Sequence, residues 1–592
     1  MTNGVPPAVI LIAGALVVPV LKGKIKSAYL TLLAAVALTT VLFTPAGSHW
    51  TVKVLDYSLI FGRVDALSRV FGVIFGMIAF IGVLFALNVR DDLQHMAALT
   101  YAGSALGVTF AGDLITLYIF WEGLAISSMF LILARRTRAS QAAAFRYVMV
   151  HIFGGLCLLA GIVLYMRESG TTQFGYIELQ GLSAWLIFVG IALNAAIPPL
   201  HPWLKDAYPE STFSGAVFLC ALTTKSAVYV MARTFAGTEL LIWLGAAMVC
   251  FPLFYALVED DIRRVLSYML INQVGFMMCG IGLGTPLALN GAVCHAFCDI
   301  LYMGLLFMVA GSVMLMTGKV RCTELGGLYR SMPMTCVFCL IGAASISGVP
   351  LFNDFVSKSM IVTAAAHEHM DRLWLILEFA SVGAFVCAGI KFSLRTFFGP
   401  DPGLEAKEPP ANMGLAMAIA ALLCVGVGVY PEPLYRILPY SVDYTPYTVA
   451  HVVDELQLLL FGGLGFILIC RFGLYPAEDR AIYLDTDWFY IRAARLFYNI
   501  MDRVLNGINA FCERGLAQIM PEWLGRISAR PLTTLVMMFE RISAKAHTAG
   551  MDVEPAERRE EVSLLPMGVA VLISLLFLLS LFVTFLVVFS RR

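Results

Sequence analysis

The sequence predicts an all-α integral membrane protein of about 14–16 transmembrane helices, some of them broken, with a C-terminal amphipathic lateral helix and a final anchoring helix. Three observations predict it. Of 592 residues, 59% are hydrophobic and 14% are charged, against roughly 25% charged in soluble domains. Apolar runs of about 20 residues, the length that crosses a bilayer core, recur along the chain. Basic clusters at Lys22–Lys26, Arg135–Arg138, Arg263–Arg264, Lys319–Arg321 and Arg395–Lys407 all fall on one face if the N-terminus is outside, as the positive-inside rule requires. Lys plus Arg and Asp plus Glu are both 40, so the charge balance gives no sign of a nucleic-acid partner.

In chain order, the N-terminal run has no basic residues before it and Lys22–Lys26 after it. A cleaved signal peptide has the opposite order, so a retained first helix is expected. Spans are expected near 6–22, 27–44, 66–88, 94–112, 114–134, 145–166, 183–199, 213–233, 239–258, 266–284, 288–316, 333–366, 372–394, 411–430, 452–473 and 566–588. Two of them carry breaks. Pro198, Pro199 and Pro202 end one, and the string SGVPLFND over 347–354 interrupts another. Proline removes a backbone hydrogen bond and clashes with the preceding turn. Irregular backbone at membrane depth survives only against protein or a wet cavity, and interrupted helices in transporters often sit at the ion path.

Residues 475–565 are charged, and Ile491, Leu496, Phe497, Ile500, Val504 and Ile508 recur at helical spacing. A long helix lying in the interface fits this pattern, with Val569–Phe589 re-anchoring the chain. The expected organisation is 1–112 N-terminal helices, 113–400 core, 401–474 C-terminal helices, 475–565 lateral segment and 566–592 anchor.

Within the apolar runs, three ionisable side chains stand alone. Glu122 lies in LITLYIFWEGLAISSMFLIL, Lys225 in GAVFLCALTTKSAVYVMA, and Lys358 beside the break at 347–354. A charge at the bilayer centre costs at least about 2.5–3.5 kcal/mol, and such residues usually mark an ion or proton path. Lys391 is a weaker candidate, near Arg395 at a span end where snorkelling competes. His201 and Asp206 flank the first break and are candidates for stabilising it. His295 and His151, in apolar helices, read first as packed side chains, His295 being kept as a candidate. Glu259, Asp260 and Asp261 before Arg263 and Arg264 read as a solvated loop. The thirteen cysteines are scattered. Cys336 and Cys339 form a CxxC inside an apolar run, where cysteine acts as a small hydrophobe. No metal ligand set, iron–sulfur cysteine cluster, paired haem histidines or dinucleotide fingerprint is evident, so neither cofactor nor metal is expected.

The strings FWEGLAISSMFLI, PPLHPWLKDAYPESTFSGAVFLCALTTKSAVYVMAR, DIRRVLSYMLINQVGFM and GVPLFNDFVSKSMI resemble the antiporter-like membrane subunits shared by respiratory complex I, membrane-bound hydrogenases and Mrp-type sodium/proton antiporters. The similarity covers about residues 60–400, and within the core it is to the D-type Mrp subunit. The lateral helix and last span resemble the largest antiporter-like subunit of complex I.

The resemblance implies a row of buried charges at mid-depth, with Glu122 as entry carboxylate, Lys225 as central lysine and Lys358 as terminal group. It also shows departures. Asn194 stands where the family often has a lysine partner for the glutamate, and Lys205 replaces a proline. Asp299 or Met303 falls where a histidine or lysine is usual, so Asp299 is the acid expected to work beside Lys225. The function implied is proton or cation translocation by one subunit of a multisubunit complex in the cell inner (cytoplasmic) membrane. Its partners would be other membrane subunits, lipid, protons and sodium. It would be a transporter subunit without its own redox site, whether or not an NADH:quinone oxidoreductase-type complex contains it. Two alternatives stay open: a scaffold subunit with an incomplete path, and the membrane subunit of an inorganic-carbon uptake system.

Overall fold

The computed structural model describes residues 5–474, 486–514 and 519–529, with isolated positions between 533 and 544. Two compact units divide the chain, 1–487 and 488–592. The first begins with α1 (Pro7–Ala15), α2 (Gly23–Phe43), a hairpin of β1 (Gly47–Val54) and β2 (Tyr57–Val64), α3 (Ala66–Phe85), α4 (Asp92–Phe110), α5 (Leu114–Leu133) and α6 (Arg138–Ser169). Next come α7 (Gly181–Asn194), α8 (Pro202–Ala207), α9 (Gly215–Thr234), α10 (Glu239–Val258), α11 (Ile262–Leu283) and α12 (Pro286–Thr317). It ends with α13 (Pro333–Ile346), α14 (Phe355–His367), α15 (Asp371–Ala384), α16 (Ala411–Val429), α17 (Glu432–Tyr435) and α18 (Val449–Arg471). The second unit holds nearly all of α19 (Asp487–Cys512), and α20 (Met520–Ala529).

Eleven helices among the described residues are long and apolar enough to cross a membrane. The protein is an all-α multi-pass membrane protein, and each expected span up to 452–473 coincides with a helix or a pair of half-helices. The span at 333–366 is such a pair, α13 and α14, separated by the break the sequence placed there. Gly348 and Leu351 both take positive φ within it, and Gly348 tolerates that conformation because it has no Cβ. In 475–565 the expected helix is present as α19, whereas the final span Val569–Phe589 lies outside the described residues.

The hairpin was not foreseen. Its strands pair antiparallel, with Thr51 opposite Ile60 and Val54 opposite Tyr57. β-branched and aromatic residues favour this pleated arrangement, and a run too short and too polar to span a bilayer has room for it outside.

Polarity sorts the helices. α11 and α9 are almost wholly buried, whereas no residue of α18 is. α9, α11 and α12 carry Thr223, Lys225, Asn272, Gln273, His295 and Asp299, which lipid rejects. α18 is apolar through most of its length, and lipid accepts it. α10 and α11 approach backbone to backbone, since a Cβ on Gly245 would fall 2.7 Å from Cys279 N. Small residues permit such contacts between membrane helices.

One reading needs correction. The loop around Glu259–Arg264 is not simply solvated. Arg263 is fully buried and donates to the carbonyls of Tyr208, Pro209, Ser211 and Thr212. Buried Asp260 accepts from Thr323 N at 2.9 Å and Thr323 Oγ1 at 3.0 Å. Arg263 thus satisfies the irregular backbone after α8. Burial pushes the Asp261 carboxyl up, against the opposing pull of Arg263.

Outside the spans, Asp65 caps α3 and accepts two hydrogen bonds from Arg233, at 2.7 and 2.8 Å. Burial alone would raise this carboxyl, but the Arg233 guanidinium, Ser68 N–H and Arg63 outweigh it and hold it at about 2. An unfolded aspartate titrates near ~3.9. The stabilisation from this group is therefore fully present above about pH 4 and is lost as pH falls towards 2. Thermal unfolding between pH 6 and 2.5 should show that acid sensitivity reduced in Asp65→Asn; an unchanged acid limb would refute the assignment.

Candidate functional site

The site is built on α12, whose spacing puts His295, Asp299 and Tyr302 at i, i+4 and i+7 on one face. α9 brings Lys225 to this face. Its ammonium pairs with Asp299 Oδ2, both side chains being fully buried, and donates to Cys220 O at 3.0 Å. The acid expected near Lys225 is thus in contact with it. A buried pair of this kind is tolerable only because each charge answers the other.

The second half of the site comes from the broken helix. Asp354 immediately precedes α14 and lies four residues before Lys358, so one helical turn brings them together. Lys358 Nζ is 2.7 Å from Asp354 Oδ2, 3.3 Å from Ile346 O and 5.5 Å from the centre of the Phe276 ring. Asp354 Oδ1 is 2.9 Å from His295 Nδ1. Tyr302 ties this cluster to α11, its hydroxyl lying 3.1 Å from Gln273 Oε1 and 3.4 Å from Asp354 Oδ1. From Lys225 to Lys358 the buried groups therefore run Lys225, Asp299, Tyr302, Asp354 with His295, and Lys358. Asp354 and Tyr302 were not singled out in the sequence. The i, i+4 spacing of Asp354 to Lys358 was the available signal.

Beyond Lys358 a cavity of about 940 Å³ opens between α14, α15 and α18. Asp354, Lys358, Glu378, His451, Asp454 and Glu455 line it. Glu455 Oε1 sits over Gly348, 2.9 Å from where a Cβ would stand.

On the other side, Glu122 lies on α5 against Gly155 of α6 and Tyr118. The structure does not pair it with Lys225. From α5 to α6 Ser128 Oγ meets Tyr147 OH at 2.8 Å, and from α4 to α9 Tyr101 OH meets Thr223 Oγ1 at 2.6 Å. Thr223 is two residues from Lys225. Asn194 is buried at the end of α7.

The remaining candidates have other roles. Lys391 does not snorkel: it is buried and donates to Ala256 O, Leu257 O and Glu259 O at 3.1, 2.9 and 2.6 Å. It satisfies the carbonyls that end α10. Asp206 is bound by Arg146 at 2.7 and 2.8 Å, pinning α8 to α6. His201 is buried at the break, its ring 4.5 Å from that of Phe251.

Residues 111–383 match the family model described as "NADH:quinone oxidoreductase/Mrp antiporter, TM". The chain is 26% identical over 570 residues to the Na(+)/H(+) antiporter subunit A1 of Staphylococcus aureus (strain JH9), covering 83% of this chain and 71% of that protein. Its fold is similar to a chain of the Mrp complex from Dietzia sp. DQ12-45-1b, with a TM-score of 0.74, 22% identity, and 96% and 65% of the two chains covered. It is also similar to a chain of the archaeal membrane-bound sulfane sulfur reductase, with a TM-score of 0.68, 20% identity, and 91% and 99% covered. For respiratory complex I from Thermus thermophilus the TM-score is 0.63, with 22% identity and 73% and 98% covered. The S. aureus relative is an A-type subunit, whereas the core strings had suggested the D-type. Through residues 111–383, the chain is similar to the antiporter-like membrane subunits of NADH:quinone oxidoreductases and Mrp antiporters.

Proposed function

We propose that this chain translocates protons, in exchange for a cation such as sodium, as one subunit of a multisubunit complex in the cell inner membrane. The observation that carries this reading is the buried line from the Lys225–Asp299 pair through Tyr302 to Asp354, His295 and Lys358. A scaffold has no use for six fully or nearly fully buried ionisable side chains joined in this way, because each is costly to bury.

The chemistry follows from pairing. A lysine held against a carboxylate keeps its proton, and one whose partner is drawn away releases it. Asp299 and Asp354 are such partners, and Tyr302 is placed to couple the two. A proton leaving Lys358 would meet the carboxylates of the cavity, Glu378, Asp454 and Glu455. The S. aureus relative is named a sodium/proton antiporter subunit, which supports sodium as the exchanged ion.

Lys225→Met should abolish sodium-driven proton movement in inside-out vesicles holding the whole complex, with assembly intact. The methionine fills the same space without a proton to transfer. Flux at the wild-type level would leave the chain as a scaffold beside conducting neighbours.

A further inference from the structure

Buried polar atoms without partners cost about 1–3 kcal/mol each, so a cluster of them calls for an explanation. Three side chains on α5, α6 and α7, with α6 packed against both of the others, carry such atoms. Glu122 Oε1, His151 Nε2 and both amide atoms of Asn194 are buried without a hydrogen-bond partner among the described residues. His151 and Asn194 are 2% and 1% exposed.

The ring of His151 is held in one orientation. It stacks on Tyr147 at 3.9 Å and meets Trp203 edge-on at 4.6 Å. Its Nδ1 lies 2.8 Å from Tyr147 O. A carbonyl only accepts, so Nδ1 carries the hydrogen and Nε2 is left as a lone pair. Trp203 Nε1 in turn donates to Leu193 O at 2.9 Å, which anchors the residue before Asn194 to the same aromatic corner. Glu122 occupies the space over Gly155, where an added methyl would overlap Oε1. Gly155 is four residues along α6 from His151, about 6 Å of rise, a gap that one water can bridge.

We propose that His151 is a proton-loading site that works with Glu122, with Asn194 as the amide between them. The proton leaves the Glu122 carboxyl oxygen, passes through a bridging water and adds to Nε2, giving a carboxylate and an imidazolium. Asn194 offers a donor to the first and an acceptor to the second. The face of Tyr147, stacked on the imidazole, favours the cation. This assignment rests on the transport reading above and adds a residue to it.

The test measures proton flux in vesicles holding the whole complex. His151→Gln keeps a polar side chain of similar reach but cannot be protonated, and flux should fall about tenfold or more. Adding Asn194→Lys restores a titratable cation at the same corner and should recover at least half of the loss, which mere repair of packing would not do. If His151→Gln disturbs assembly, Asn194→Ala takes its place, and flux must again fall. Full flux in His151→Gln while Lys225→Met is inactive would overturn this proposal and leave the transport reading standing. Full flux in both would remove the transport reading, and this proposal with it.

Discussion

Asp299→Leu should destabilise the assembled protein by roughly 3–5 kcal/mol, the cost of leaving one partner of a buried ion pair uncompensated. Lys225 has no water to turn to: its side chain is fully buried, its ammonium rests on Asp299, and its remaining contact is the carbonyl of Cys220. The double variant Lys225→Met with Asp299→Leu should be markedly more stable than Asp299→Leu alone, because apolar replacement of a whole buried pair is often neutral or stabilising. Both variants should lack transport. Thermal unfolding of the purified complex gives the cycle directly. Additive effects of the two substitutions would mean that the pair is not coupled, and the assignment of Asp299 as the partner of Lys225 would fall.

The second large effect is expected at Asp354. This carboxylate touches His295 with one oxygen and Lys358 with the other, and the hydroxyl of Tyr302 also reaches it. Asp354→Asn keeps the shape and removes the charge. Lys358 then loses its anion, and His295 loses its carboxylate partner. Flux should drop about 100-fold or more, in the range of lost proton-transfer groups, while subunits still copurify. Lys358→Met should give the same loss, and the two substitutions together should be no worse than either, since they break one link. A milder loss in Asp354→Asn than in Lys358→Met would show that protons reach Lys358 by another way.

Much of this site was legible in the sequence because the signal is local. A single charge inside an apolar run needs no tertiary knowledge to be noticed, and Glu122, Lys225 and Lys358 were found that way. Asp299 was reached by a departure from the family pattern, and its contact with Lys225 follows that expectation. Asp354 escaped notice because Gly348, Pro350 and Asn353 around it gave a sufficient account of the break as a backbone feature. Tyr302 and His151 resemble ordinary core rings until their partners are known. Arg263 was misread because adjacent acids suggest solvation, whereas its acceptors lie some fifty residues earlier. Lys391 has the same history: its three carbonyls lie in the last turn of α10 and just after it, more than a hundred residues away. Where burial is decided by distant backbone, spacing along the chain carries no trace of it.

The break between α13 and α14 has an electrostatic consequence. Each half-helix carries a macrodipole of roughly half a charge at its ends, negative at the C-terminus and positive at the N-terminus. Lys358 donates to Ile346 O, the last residue of α13, and Asp354 directly precedes the first residue of α14. The ammonium and the carboxylate are thus counter-charges for two opposed backbone fields as well as for each other. When a proton leaves Lys358, the end of α13 loses its cation in a medium with little water to screen it. In partly buried settings such a dipole–charge contact reaches about 2 kcal/mol, some thirtyfold in an equilibrium. The backbone therefore registers the departure of a single proton, and the two half-helices can respond to it as one element.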